Sequence, residues 1–258
     1  IKAIVEAVKE MQQPVIIQAS ESAIKYAGVE NLVSLVKNEV KNIKTPIALH
    51  LDHGKSYDII KACVKAGFTS VMIDASSLPY SENVAITKKV VKLAHAHGVT
   101  VEAELGEIKG VEDNVSSDYS HLTNPHEALK FIHETKVDSL AVSVGTAHGI
   151  NKGSTNPKIS YDVLGELEGL LSTDFPLVLH GASSVDDELK NLYLASGGEL
   201  KKAQGISLAD LHKIATSTPI AKINVDTDLR LAFCGTLRSS LKQSPETFDP
   251  RTHLKNVI

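Results

Sequence analysis

Short apolar runs rich in β-branched residues alternate with stretches of helical period along almost the whole chain. The runs predict strands near Val15–Gln18, Ile47–Leu51, Ser70–Ile73, Thr100–Leu105, Ser139–Val144, Leu177–Leu179 and Ala221–Val225. Between them the spacing of apolar positions predicts helices near Leu32–Lys41, Tyr57–Ala66, Asn83–His97, Pro125–Glu134, Tyr161–Leu171, Asp186–Ala195, Leu208–Ala215 and, after the last strand, Thr227–Lys242. Gly67 and Gly98 follow their helices where a left-handed stop residue is needed. Repeated strand and helix alternation of this kind predicts an α/β fold with a parallel sheet.

The polar residues of these runs sit at their ends. Ile47-Ala48-Leu49-His50-Leu51 leads into Asp52-His53, Leu140 to Val144 leads into Gly145-Thr146-Ala147-His148, and Leu177-Val178-Leu179 ends in His180-Gly181. Ile73 leads to Asp74, Val101 to Glu102 and Glu104, and Ile223 to Asn224 and Asp226. A TIM (β/α)8 barrel gives this pattern, because its interior is filled by side chains while the carboxyl ends of all strands open on one face. The reading has seven strands where closure needs eight, and the chain opens directly in an amphipathic helix from Ile1 with no capping residue before it. The expectation is a single barrel domain over residues 1–258 that lacks its first strand and is clipped at the C-terminus, where Asp249-Pro250-Arg251 restarts a pattern.

A net charge of -4 offers no broad basic surface for nucleic acid or an anionic membrane, so any anion must be gripped locally. No apolar run is long enough to span a bilayer, and no charged-then-apolar leader precedes the first helix. Cys63 and Cys234 fall in helical stretches without metal-binding spacing, which predicts buried reduced thiols and a cytoplasmic setting.

His53, His148 and His180, brought together from three strand exits, would leave one coordination position open on a zinc ion, as catalytic zinc requires. The remaining histidines, among them His95, His97, His121, His126, His133, His212 and His253, fall on helices or loops and are expected to face solvent. Asp52 beside His53 suits proton transfer to or from a substrate hydroxyl, or orients a ligand histidine. Asp74 and Glu104 reach the same mouth, either as alternate metal ligands or as hydrogen-bond acceptors. Gly181-Ala182-Ser183-Ser184 and Asn224-Val225-Asp226-Thr227 can offer backbone N–H groups and a helix N-terminus to a phosphate, and Gly149 with Lys152 can close the same pocket. The polar stretch from Gly106 to Ser120 reads as a lid that carries Glu112 or as a solvated loop. A metallohydrolase barrel is disfavoured because its His-x-His pair belongs at a strand end, whereas His95-Ala96-His97 lies on a helix. A non-catalytic barrel that binds phosphosugar or metal is the other alternative.

The motifs LHLDHG (49–54), SVMIDAS (70–76), VEAELG (101–106), GVEDN (110–114), GTAHG (145–149), LVLHGASS (177–184) and KINVDTDLR (222–230) together resemble class II, zinc-dependent fructose-1,6-bisphosphate aldolases, in order and over nearly the whole chain. Tagatose-bisphosphate aldolases share this framework. The resemblance implies a homodimer or homotetramer of TIM barrels that reversibly cleaves fructose 1,6-bisphosphate to dihydroxyacetone phosphate and glyceraldehyde 3-phosphate. It implies His53, His148 and His180 as zinc ligands, Asp52 as acid/base at the C4 hydroxyl, and Glu112 as the group that moves the C1 proton. It further implies that Gly149, Lys152, Gly181, Ser183, Asn224, Asp226 and Thr227 hold the triose phosphate, often with a monovalent cation (Na+ or K+), and that Ser20 and Arg230 contact the C6 phosphate. One departure is Asn151, which stands before Lys152 where the family commonly has an aromatic residue.

Overall fold

The computed structural model describes residues 1–106, 108–112, 115–117, 121–148, 158–200 and 203–258, with backbone only at 109–112, 115–117 and 148. In chain order its elements are α1 (Lys2–Met11), β1 (Val15–Ser20), α2 (Glu21–Ala27), α3 (Val29–Val40), β2 (Ile47–Gly54), α4 (Tyr57–Ala66), β3 (Ser70–Ile73), α5 (Tyr80–His95), β4 (Thr100–Leu105), β5 (Lys109–Glu112) and β6 (Val115–Ser117). They continue with α6 (Pro125–Thr135), β7 (Ser139–Val142), β8 (Ala147–His148), α7 (Tyr161–Leu170), β9 (Leu177–Leu179), α8 (Asp187–Ala195), α9 (Leu208–Ser217), β10 (Ile220–Ile223), α10 (Thr227–Gln243) and α11 (Pro250–Lys255).

Each helix returns the chain to the same end of the sheet, so the strands pair in parallel in the order β1-β2-β3-β4-β7-β9-β10. This is the curled, TIM-barrel-like α/β sheet expected from the sequence. Helix boundaries follow local chemistry. In α4, Ser56 Oγ accepts the Ile59 N–H, Ile60, Cys63 and Val64 form the buried stripe, and Gly67 at φ 102° lets its N–H close on the Cys63 carbonyl.

The alternation of strand side chains separates two interiors. Leu49, Leu51, Val71, Ile73, Val101, Ala103, Leu140, Val142, Leu177 and Leu179 belong to the large core between sheet and helices. Met72, Ala141 and Val178 form a separate small cluster on the opposite face of the strands. Register places the buried polar residues in that inner layer, since Met72 pairs with Glu102, Ala141 with Glu104, and Val178 with Lys222. The inside of the curl is therefore packed with apolar side chains in its middle and with titratable ones around them.

Strands β1 and β10 end the sheet. Among the described residues they flank an apolar groove of about 600 Å³, lined by Ile4, Ala7 and Val8 of α1 with Val15, Ile16 and Ile223. A second, three-stranded sheet has the order β6-β5-β8: β5 and β6 form an antiparallel hairpin and β5 pairs in parallel with β8. The stretch read as lid or loop thus contains strand. Helix α2 was not predicted; it is short and starts directly at the strand exit, where Ser20 Oγ accepts the Ala23 N–H. Two burial expectations are corrected. His253 is buried, held between Ser240 Oγ at 2.9 Å and the Thr247 carbonyl at 3.0 Å, and Cys234 is exposed whereas Cys63 is buried as expected. No helix among the described residues is long and apolar enough to cross a membrane.

Candidate active site

Neighbouring residues in a regular strand point to opposite faces, yet Asp52 and His53 meet at one site. The cause is local. The pairing of β2 with β3 shifts register between Leu51 and Gly54, and His53 takes a left-handed φ of 46°. That bend returns the His53 ring to the mouth, where Asp52, His53 and His180 place ligand atoms within 4.8 Å of one another, all three buried. A left-handed conformation at a non-glycine residue stores strain, and the hydrogen bonds of the ring hold it in place.

The two imidazoles face each other, with His53 Nε2 and His180 Nδ1 2.9 Å apart. Their other nitrogens are backed by carboxylates: His53 Nδ1 lies 2.8 Å from Asp74 Oδ2, and His180 Nε2 lies 2.8 Å from Glu102 Oε1. Carboxylates fix the outer protons, so the inner nitrogens present their lone pairs to a common point, the arrangement that orients histidine ligands on a metal. Two nitrogens on one tetrahedral zinc ion lie roughly 3.3 Å apart, so a small separation of the rings would admit the ion. Burial opposes charge on His53, but the Asp74 hydrogen bond and the charges of Asp52 and Glu104 outweigh it and raise its pKa to about 10. Burial lowers that of His180.

Asp74 is tied to a second cation, since Lys55 Nζ reaches the same Oδ2 at 2.7 Å. Burial would raise the Asp74 pKa, but His53 and Lys55 offset this and hold it well below the usual carboxylate range. Glu104 goes the other way. Burial and then the Asp74 charge raise its pKa to about 8, and its Oε2 has no hydrogen-bond partner among the described residues. With His53 and Asp74 it forms a second group of ligand atoms close enough to hold a cation.

Asp52 is buried, and its carboxylate is reached by Gln18 Nε2 and by Asn224 Nδ2, each at 3.4 Å. Asn224 Nδ2 also lies 3.2 Å from His180 Nε2, while its Oδ1 has no partner among the described residues. A cleft of about 200 Å³ opens over this group; Ser20, Asp52, His53, Lys55, Asp226 and Arg230 line it. Arg230 is paired with Asp226 at 2.6 Å and is largely exposed. Gly181 continues from His180 at φ 61°, and a side chain there would strike the Ala147 backbone. Ser183 Oγ accepts the N–H groups of Asp226 and Thr227 at 3.3 and 3.1 Å, so in this conformation the first donors of α10 are given to that hydroxyl.

The structure therefore gathers Asp52, His53, Asp74, Glu104, His180 and Asn224, with Ser20, Asp226 and Arg230 at the cleft wall. For His148 and Glu112 the backbone alone is described: Glu112 ends β5, and His148 in β8 pairs with Gly110 of β5. Gly149 and Lys152 lie outside the described residues.

The class-II fructose-bisphosphate aldolase family model matches residues 1–258. The chain belongs to that family. A fructose-bisphosphate aldolase of Thermus caldophilus is 48% identical over 255 residues, covering 98% of this chain and 82% of its own. That of Helicobacter pylori strain J99 is 45% identical over 268 residues, covering 100% and 86%. Among solved structures, a putative fructose-1,6-bisphosphate aldolase from Coccidioides immitis superposes with a TM-score of 0.77 at 26% identity, covering 99% of this chain and 81% of that one. The YdjI aldolase from Escherichia coli K12 does so with a TM-score of 0.73 at 29% identity, covering 99% and 80%. In a family of aldolases, a buried pair of carboxylate-backed histidines suits a metal ion.

Glu102, Lys222 and His50 are among the residues of this aldolase-family site to which the sequence reading gave no role, as are Lys55 and Gln18. Lys222 Nζ lies 2.8 Å from Glu102 Oε2, and His50 Nε2 lies 3.7 Å from the same oxygen. Burial alone would raise the Glu102 pKa, but the Lys222 ammonium and the His180 bond hold it well below the ordinary range. Burial and Lys222 together lower His50 to about 4, leaving it neutral, with Nδ1 2.8 Å from Ser70 Oγ. The signal was present, because Glu102 shares strand parity with Glu104, and His50 with Asp52, in otherwise apolar runs.

Proposed function

We propose that this chain catalyses the reversible aldol cleavage of fructose 1,6-bisphosphate to dihydroxyacetone phosphate and glyceraldehyde 3-phosphate, with zinc as its metal. The observation that carries the reading is the His53 and His180 pair, each ring backed by a buried carboxylate and flanked by Asp52. Fructose is favoured over tagatose bisphosphate because relatives at 42–48% identity are fructose-bisphosphate aldolases. His53 and His180, with His148 as the third ligand, would hold the ion. When bound, it supplies polarisation of the substrate ketone and stabilises the negative charge that develops there.

The remaining work falls to side chains of this chain. Asp52 borders the cleft and takes the C4 hydroxyl proton as the C3–C4 bond breaks, returning it in condensation. Glu112 moves the proton at C1 of the triose. Asn224, already between Asp52 and His180, orients the reacting oxygens. Gly149, Lys152, Gly181, Ser183, Asp226 and Thr227 hold the triose phosphate, with a sodium or potassium ion, and Ser20 and Arg230 receive the distal phosphate at the cleft wall. We further propose a homodimeric or homotetrameric, cytoplasmic enzyme.

A coupled assay that offers fructose and tagatose bisphosphates, with and without chelator, tests the reading. Zinc-restored cleavage of the fructose substrate is expected. Preference for tagatose bisphosphate, or cleavage that chelator does not affect, would overturn it.

A further inference from the structure

The turn after β9 is held in a conformation that its sequence disfavours. Val185 has φ 52°, in the left-handed region, which is a strained position for a β-branched residue. A single side chain spans this part of the turn. Asp228, in the first turn of α10, accepts the Val185 N–H through Oδ1 at 2.7 Å and the Ser184 N–H through Oδ2 at 2.8 Å, and the Ser184 hydroxyl also donates to Oδ2, at 3.2 Å. The opposite side is braced as well. The Ile206 N–H donates to the Ser183 carbonyl at 3.1 Å, and Gly205 packs so closely on the Ser183 and Ser184 carbonyls that any side chain there would collide with them.

We propose that Asp228 is a positioning residue that latches the strained turn from Gly181 to Val185 onto α10 and so keeps it shaped for the substrate's phosphate. The inference rests on the aldolase reading above. Asp228 lies outside the carboxylate and histidine groups able to hold a metal among the described residues, so its effect should fall on substrate binding. Without its carboxylate, Val185 relaxes to an ordinary negative φ and carries Ser183 and Ser184 with it. A glycine at 185 accepts the left-handed conformation at no steric cost and should keep the turn in place without the latch.

The experiment compares zinc-loaded wild type with Asp228→Ala, Val185→Gly and the double variant, reading kcat, KM for fructose 1,6-bisphosphate, competitive inhibition by inorganic phosphate, and bound zinc. Inactive wild type would refute the aldolase reading separately. Asp228→Ala should raise KM and the phosphate inhibition constant together by about tenfold, the lower range for strain of this kind. Its kcat and zinc content should stay close to wild type. The double variant should recover most of the lost affinity, and Val185→Gly alone should resemble wild type. If Asp228→Ala does not fold, Asp228→Asn retains one acceptor oxygen for the two N–H groups and should show a smaller rise in KM. Wild-type KM in the soluble Asp228 variant, or a double variant as impaired as Asp228→Ala, would overturn the proposal.

Discussion

Replacing Glu102 by glutamine tests how the metal site is held from below. The substitution keeps the shape of the side chain and an oxygen that can accept the His180 Nε2 proton, but removes the charge that Lys222 meets at 2.8 Å. Breaking a buried ion pair costs about 3–5 kcal/mol. Lys222 keeps 13% of its side-chain surface accessible, so part of its charge is rehydrated and the cost should lie near the lower end, about 3 kcal/mol. For a chain of this size that corresponds to a fall in Tm of about 6–12 °C, measured by thermal unfolding in chelator so that metal does not contribute. The metal site should suffer separately. A neutral acceptor leaves His180 less firmly oriented and less basic, and zinc affinity should fall about 10–100-fold in competition with a chromophoric chelator. Zinc affinity equal to wild type would refute the claim that Glu102 sets the ligating nitrogen of His180. An unchanged Tm would show that the Lys222 pair adds no net stability.

Asp52→Ala should retain zinc while slowing cleavage about 10²–10⁴-fold, whereas His148→Ala should lose zinc and turnover together; equal metal loss in both would make Asp52 a structural partner of His53. Glu112→Ala should block hydrogen exchange at C1 of dihydroxyacetone phosphate while leaving binding of that triose nearly intact, and exchange at the wild-type rate would remove Glu112 from the mechanism. With a thiol reagent at pH 8, exposed Cys234 should react quickly and Cys63 only after unfolding, because burial pushes the Cys63 thiol up to about 12. The unfolded thiol loses its proton near about pH 8.5. The Cys63 contribution to stability is therefore full below that pH and declines as pH rises towards 12, a slope that Cys63→Ala should abolish.

The strands were legible because each is an apolar run bounded by turn residues, and all seven appear in the main sheet in the order read. The strand exits were legible for the same reason, and Asp52, His53 and His180 converge as expected. What escaped depended on long-range packing. His253 carries no local sign of burial; only the docking of α11 against Ser240 encloses it. Cys234 follows an apolar helix pattern yet lies on the outer face of α10. Lys222 resembles a solvent-facing lysine until strand register places it opposite Val178, within reach of Glu102 from a distant strand. The bend at His53 arises from the mismatch of β2 with β3, which no single strand reveals.

Anomalous diffraction at the zinc edge from zinc-loaded, catalytically active crystals tests the central claim most directly. The account predicts a peak bonded to both His53 Nε2 and His180 Nδ1, with Asp74 and Glu102 still on the outer nitrogens of those rings. An active crystal with these two rings in direct contact and its zinc elsewhere would contradict it.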